Sequence, residues 1–161
     1  MPYLVRHAHA GDKRAWRGSD AARPLSPPGQ QEANGLLARL RGYPITQVVS
    51  SPAVRCVQTV EPLARGRDLD VEPDGDLDVH ADPARLLARL RDAALDAAVL
   101  CTHGELIGAV LQQLAAEGTA AADELRWPKG STWVLQVSGG RLHLARYLPP
   151  LRLQAAAAGQ P

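Results

Sequence analysis

The 161-residue sequence predicts a three-layer α/β/α fold built on a mostly parallel, mixed sheet, with one domain over residues 1–150 and a C-terminal tail over 151–161. Three observations carry this reading. Short apolar runs alternate with stripes at helical spacing, the pattern of strands covered on both faces by crossover helices. The last third instead holds two strand patterns in succession, so one strand there must run antiparallel to its neighbour. The length fits a single domain of about 100–200 residues, large enough to bury roughly 68–70% of the unfolded surface without disulfide support.

The elements follow in chain order. Tyr3-Leu4-Val5 is the first strand, Ile45 to Val49 the second and Ala97 to Leu100 the third of the buried apolar runs. After Pro27-Pro28-Gly29, read as a breaker, Ala33, Leu36, Leu37 and Leu40 make a helical stripe. Ala53, Val57, Val60 and Ala64 make a second, in which Pro62 is expected to kink or end the helix. Leu86, Leu87 and Leu90 make a third, and Leu106, Ile107, Val110, Leu111 and Leu114 the strongest. Ser131 to Val137 and Arg141 to Tyr147 form a hairpin around Ser138-Gly139-Gly140. Residues 11–28 and 73–83 read as loops, 118–130 as a connection with a helical turn, and Gln154 to Pro161 as a frayed end.

Composition removes several function classes. Eighteen Lys plus Arg against 17 Asp plus Glu give a net charge of +1, so bulk charge favours neither nucleic acid nor an anionic membrane. The two cysteines, Cys56 and Cys101, are too few for a disulfide framework or a zinc knuckle and read as small core residues. The first residues lack a secretory signal pattern, and no apolar run approaches the roughly 18 residues of a membrane span. A cytoplasmic protein with no nucleic-acid or membrane partner is expected. Nothing in the pattern specifies an oligomeric state.

Three segments follow the carboxyl ends of predicted strands: Arg6-His7-Ala8-His9, Ser50-Ser51-Pro52-Ala53-Val54-Arg55 and Cys101-Thr102-His103-Gly104-Glu105. Ligands bind at that edge in open α/β sheets. Ser51 reads as an N-cap with Pro52 at the first helical position, and Gly104 opens the last helix. Helix N-termini present free N–H groups and favour anions. A histidine after a strand is ordinarily a hydrogen-bonded structural residue. Two histidines and two arginines arriving at one edge from three loops suit a phosphoryl group instead.

Those same residues resemble the histidine phosphatase superfamily over about residues 3–147. The resemblance lies in Leu4-Val5-Arg6-His7-Ala8, in Ser50-Ser51-Pro52-Ala53-Val54-Arg55-Cys56-Val57-Gln58-Thr59, and in Thr102-His103-Gly104. Arg23-Pro24-Leu25-Ser26-x-x-Gly29 is similar to the SixA-type branch of compact phosphohistidine phosphatases. A similar domain also follows Nudix domains in some actinobacterial nucleotide hydrolases. The resemblance implies a phosphoglycerate mutase-like fold and a metal-independent phosphatase without a cofactor. It makes His7 the nucleophile and gives Arg6, Arg55 and His103 the phosphoryl oxygens, with Gly104 beside them. An imidazole is a capable nucleophile near neutrality, its ordinary pKa being about 6.5.

Many members carry a proton-donating acid in the loop after the third strand. Here Val79 stands at that place, with Asp78, His80 and Asp82 as neighbouring candidates, although Asp82-Pro83 is equally a helix-start signal. A missing acid fits a leaving group that departs easily, such as a phosphohistidine imidazole. The expected substrate is therefore phosphohistidine in a protein. A small phosphomonoester or a nucleotide is the enzymatic alternative, and a non-catalytic phosphate-binding module the rival from another class. Lys13, Arg14, Trp16 and Arg17 form a basic, aromatic loop that could touch the rest of the substrate. His9 could pair with His7 as His-x-His but has no third metal ligand, and His143 reads as structural or exposed.

Overall fold

The computed structural model describes residues 1–120 and 125–155. Its sheet has six strands in the order β3-β2-β4-β1-β5-β6: β1 Tyr3–Arg6, β2 Gln47–Ser50, β3 Val71–Pro73, β4 Ala98–Thr102, β5 Thr132–Ser138 and β6 Arg141–Leu148. β3, β2, β4 and β1 are parallel, while β5 runs antiparallel to β1 and β6 antiparallel to β5. The mixed α/β fold is the one expected, including the hairpin near Gly139.

Alternation along the strands builds the layers. Tyr3 and Val5 face one side of β1 with Val48, Val99 and Cys101, where α1 (Pro27–Arg39) and α2 (Val54–Gly66) supply Leu36, Cys56, Val60 and Leu63. Leu4 faces the other side with Val49, Ala98 and Leu100, covered by Leu86, Leu87 and Leu90 of α3 (Pro83–Leu90) and by Leu106, Ile107, Val110, Leu111 and Leu114 of α4 (Gly104–Ala116). A period of two in the strands thus feeds two separate cores.

Several local expectations are corrected. Pro27-Pro28-Gly29 does not precede α1 but forms its first turn, because early helix positions have no N–H to lose and Ser26 caps them through the Gly29 amide at 3.2 Å. Pro62 does not end α2, which continues to Gly66. The buried Leu63 and Ala64 hold the last turn against the core despite the missing donor. Ser51 is not the N-cap of α2: Ala53 is, and Ser51 is drawn away to His103. Pro73, expected to start the loop 73–83, instead closes the edge strand β3, Val71–Pro73, where proline is tolerated. The connection 118–130 lies outside the described residues over 121–124, and the expected frayed end does so over 156–161. Residues 151–153 lie along α1, with the Leu153 amide donating to Gln31 O at 2.9 Å and Arg152 paired with Glu32 at 3.1 Å.

One glycine couples this frame to the loop after β1. A Cβ on Gly29 would stand 1.9 Å from the backbone oxygen of His9. Gly29→Ala is therefore expected to cost about 1–3 kcal/mol, the usual scale of overpacking. Thermal unfolding should show a melting point lower by about 2–4 °C per kcal/mol.

Candidate active site

Parallel pairing of β1 with β4, and of β4 with β2, sets three strand ends side by side. Arg6 is in register with Thr102, and Ser50 with Cys101, so the next residues, His7, His103 and Ser51, emerge as neighbours. The His7 amide donates to Thr102 O at 3.0 Å and the Ser51 amide to Cys101 O at 2.9 Å. The His7 and His103 rings meet edge to face with centroids 5.5 Å apart. Arg55 arrives from the first turn of α2 and is 3% exposed. His7, His103 and Arg55 meet at this edge, and the Arg6 charge lies near enough to act on His7.

Hydrogen bonds orient each group. His7 Nδ1 lies 2.8 Å from Ala8 O, a partner that can only accept, so the network assigns the proton to Nδ1 and leaves the Nε2 lone pair free. Arg55 donates through Nη1 to Asp20 O at 2.7 Å, and through Nη2 to Asp20 Oδ2 at 2.9 Å and to His103 Nδ1 at 3.2 Å. His103 is thereby protonated on Nε2, 2.9 Å from Ser51 Oγ. Arg6 donates through Nη1 to Trp127 O at 2.8 Å. A Cβ on Gly104 would come within 2.7–2.9 Å of the Arg6 guanidinium, so this position admits the arginine only because it is glycine.

The electrostatics favour an anion. Burial, with the nearby Arg55, His103 and Arg6 charges, pulls the His7 pKa down to about 3 against the Ala8 hydrogen bond. His7 is then neutral across the physiological range. Imidazole nitrogen NMR should show an Nδ1–H tautomer that does not titrate between pH 8 and pH 4. The unfolded chain would bind this proton near the ordinary pKa of about 6.5. The His7 contribution therefore destabilises the fold as pH falls through the window from 6.5 to about 3, and stability rises with pH across it. Burial, and repulsion from Arg6 and Arg23, also lower the Lys129 pKa.

The proton-donor candidates separate. Asp78 Oδ1 lies 4.0 Å from His103 Nε2, with its side chain 56% exposed. Asp82 caps α3 by accepting from the Ala84 amide at 2.9 Å, the helix-start alternative, and His80 is exposed. His9 Nδ1 is 2.6 Å from Ser26 Oγ, which ties it to the start of α1. Among the described residues no three His, Cys, Asp or Glu side chains gather as a metal site. Lys13, Arg14 and Arg17 are exposed, and only Trp16 of that group lines a cavity beside the site. His143 is half-buried in β6. Both cysteines are buried, Cys56 with its Sγ 3.6 Å from His103 Nε2.

Sequence reasoning missed the groups that hold these in place. Asp20 bridges Arg55 and Arg23, the latter at 3.3 Å. Thr59 Oγ1 accepts from the Ala8 amide at 2.9 Å, and Gln58 Oε1 from the Leu25 amide at 2.8 Å. Glu32, 5% exposed, accepts from the His9 amide at 2.9 Å. Gln58 and Thr59 stood within the quoted motif; Asp20 lay three residues before Arg23, an available but weak signal.

Residues 2–79 match the family model described as Histidine phosphatase superfamily (branch 1), and this stretch holds Arg6, His7 and Arg55. Over that stretch the chain is similar to the histidine phosphatase superfamily. The chain is 34% identical over 153 residues to a Mycolicibacterium smegmatis protein named 8-oxo-(d)GTP phosphatase, covering 91% of this chain and 47% of that one. It thus spans about half the length of that curated relative. An Agrobacterium tumefaciens protein provisionally named phosphohistidine phosphatase SixA superposes with a TM-score of 0.71 at 26% identity, over 92% of this chain and 97% of that one. The protein histidine phosphatase SixA complexed with tungstate shares the fold, with a TM-score of 0.75 at 21% identity over 92% and 96%. Among the described residues, no helix is long and apolar enough to cross a membrane.

Proposed function

We propose that this chain is a metal-independent phosphatase that takes a phosphoryl group onto His7 Nε2 and releases it to water. One observation carries the reading. Arg6 Nε and Arg55 Nε are buried side-chain donors without a hydrogen-bond partner among the described residues, and both guanidinium charges act on His7. Leaving such donors unpaired costs about 1–3 kcal/mol each, and phosphoryl oxygens match guanidinium geometry.

In the first step the Nε2 lone pair forms the N–P bond while the bond to the leaving group breaks and takes its electron pair. Water then attacks phosphorus, the N–P bond returns its electrons to Nε2, and the water proton passes to phosphate or solvent. Arg6, Arg55 and His103 stabilise charge on the phosphoryl oxygens in both steps, the main need of this chemistry. A pocket retired to mere binding has no need of an imidazole with a free, neutral Nε2.

Asp78, the proton-donor candidate that reaches His103, has a mostly exposed side chain, which supports substrates whose leaving group departs with little protonation. Phosphohistidine in a protein is such a substrate, in line with the similarity to SixA-type proteins. A nucleotide is the second reading, favoured by the relative named 8-oxo-(d)GTP phosphatase. An assay panel of phosphohistidine peptide, p-nitrophenyl phosphate, an alkyl phosphate and nucleotides tests the class. Alkyl esters should be slower by about 10²-fold or more, the usual contribution of general acid catalysis. Asp78→Asn, His80→Gln and Asp82→Asn should each leave aryl phosphate hydrolysis within about tenfold of the parent. Similar alkyl and aryl rates, with the alkyl activity lost in Asp78→Asn, would make Asp78 the proton donor and favour a phosphomonoesterase. Loss of activity in EDTA would contradict the metal-independent route.

A further inference from the structure

We infer that the cavity beside the phosphoryl site is a nucleobase subsite, so that the preferred substrate is a nucleoside 5′-diphosphate with its terminal phosphoryl at His7. This rests on the reading of His7 as phosphoryl acceptor and selects the nucleotide branch of that reading. The cavity has a volume of about 260 Å³, and its walls include Trp16, Leu25, Pro24, Asp12 and Arg23.

Trp16 supplies a held aromatic surface. Its Nε1 donates to Ser19 O at 2.8 Å, and a Cβ on Gly18 would stand 3.0 Å from the indole, so loop backbone packs against the ring. The side chain is nevertheless 39% exposed. An indole fixed at one edge and open to solvent is a stacking platform, and every base has a face to offer it. The remaining walls include Leu25 and Pro24, which are apolar, and two charged residues, Asp12, whose Oδ1 accepts from the Arg14 amide at 2.8 Å, and Arg23. Face stacking with mixed edge hydrogen bonding is how a heteroaromatic base is held.

Arg23 connects this cavity to the phosphoryl site. It is 7% exposed, donates through Nη1 to Ala10 O at 2.7 Å, and reaches Asp20 Oδ1 through Nε at 3.3 Å. Asp20 Oδ2 is in turn 2.9 Å from Arg55 Nη2. These bonds leave Arg23 Nη2 without a hydrogen-bond partner among the described residues. Ala10, in the cavity wall, is three residues from His7 and so at most about 11 Å from it along the chain. A second phosphate and a ribose have to lie within that bound. The terminal phosphoryl passes to His7 Nε2, and the nucleoside monophosphate leaves with the electron pair of the bridging oxygen.

The test compares GDP, whose base offers a ring face and N–H donors, with inorganic pyrophosphate, which has the same anhydride bond and no ring. Steady-state kinetics should give a lower KM for GDP. Trp16→Ala should raise the GDP KM about ten- to hundredfold relative to the pyrophosphate KM, the scale of one lost base–aromatic stack. Trp16→Phe should restore most of the difference, which a merely structural role for the side chain would not produce. Equal changes for both substrates, or no competition by GDP against p-nitrophenyl phosphate, would overturn the subsite. A KM effect confined to a phosphohistidine peptide would assign the cavity to protein instead. Inactivity on every substrate, p-nitrophenyl phosphate included, would overturn the phosphatase reading itself, an outcome distinct from the others.

Discussion

His7→Ala should lose turnover by about 10⁴-fold or more, the scale seen when a covalent nucleophile is removed. The substitution takes away the only group for which a free lone pair has been assigned, while leaving the anion cradle standing. Arg6 stays tied to Trp127 O, and Arg55 to Asp20 and His103. The His7 side chain makes one hydrogen bond of its own, to the adjacent Ala8 carbonyl, so little of the fold depends on it. Calorimetry should therefore find orthophosphate still bound by a folded variant whose kcat has collapsed. Retention of a tenth or more of parental turnover would remove His7 from the chemistry.

Arg55→Ala carries the second large effect. A single transition-state donor is commonly worth 10²–10³ in rate, and Arg55 also sets the tautomer of His103 through the 3.2 Å contact with Nδ1. Its loss strands the Asp20 carboxylate beside Arg23 alone. A fall of about 10²–10³-fold in kcat is expected, with a smaller rise in KM. Arg55→Lys should recover little, because a point charge cannot reproduce a fork that grips Asp20 and His103 together. Stopped assays with p-nitrophenyl phosphate give both numbers.

Much of this arrangement was legible in the residues. Leu4 set against Tyr3 and Val5 already assigns two faces to β1, and the stripes ending at Leu40, Ala64, Leu90 and Leu114 mark the four described α-helices. Once those strands are parallel, Arg6-His7 and Thr102-His103 must emerge together, so the pocket follows from topology. What sequence could not supply was the identity of side chains that act across long separations. Asp20 lies 35 positions from Arg55, and Thr59 is 51 positions from the amide it accepts. Neither pairing has a local signature. Ser51 shows the opposite failure: a sound local rule made it a cap, and a tertiary partner, His103, took the hydroxyl instead. Pro62 likewise yielded to the burial of the residues after it.

The central claim is that His7 Nε2 carries the phosphoryl group between substrate and water. Rapid quench of the parent protein with ³²P-labelled substrate, followed by peptide mapping, tests it most directly. An acid-labile, base-stable label on His7 that forms and decays at rates compatible with kcat is the expected result. Turnover without any such label, or a label on another residue in a protein whose His7→Ala variant remains active, would contradict the account.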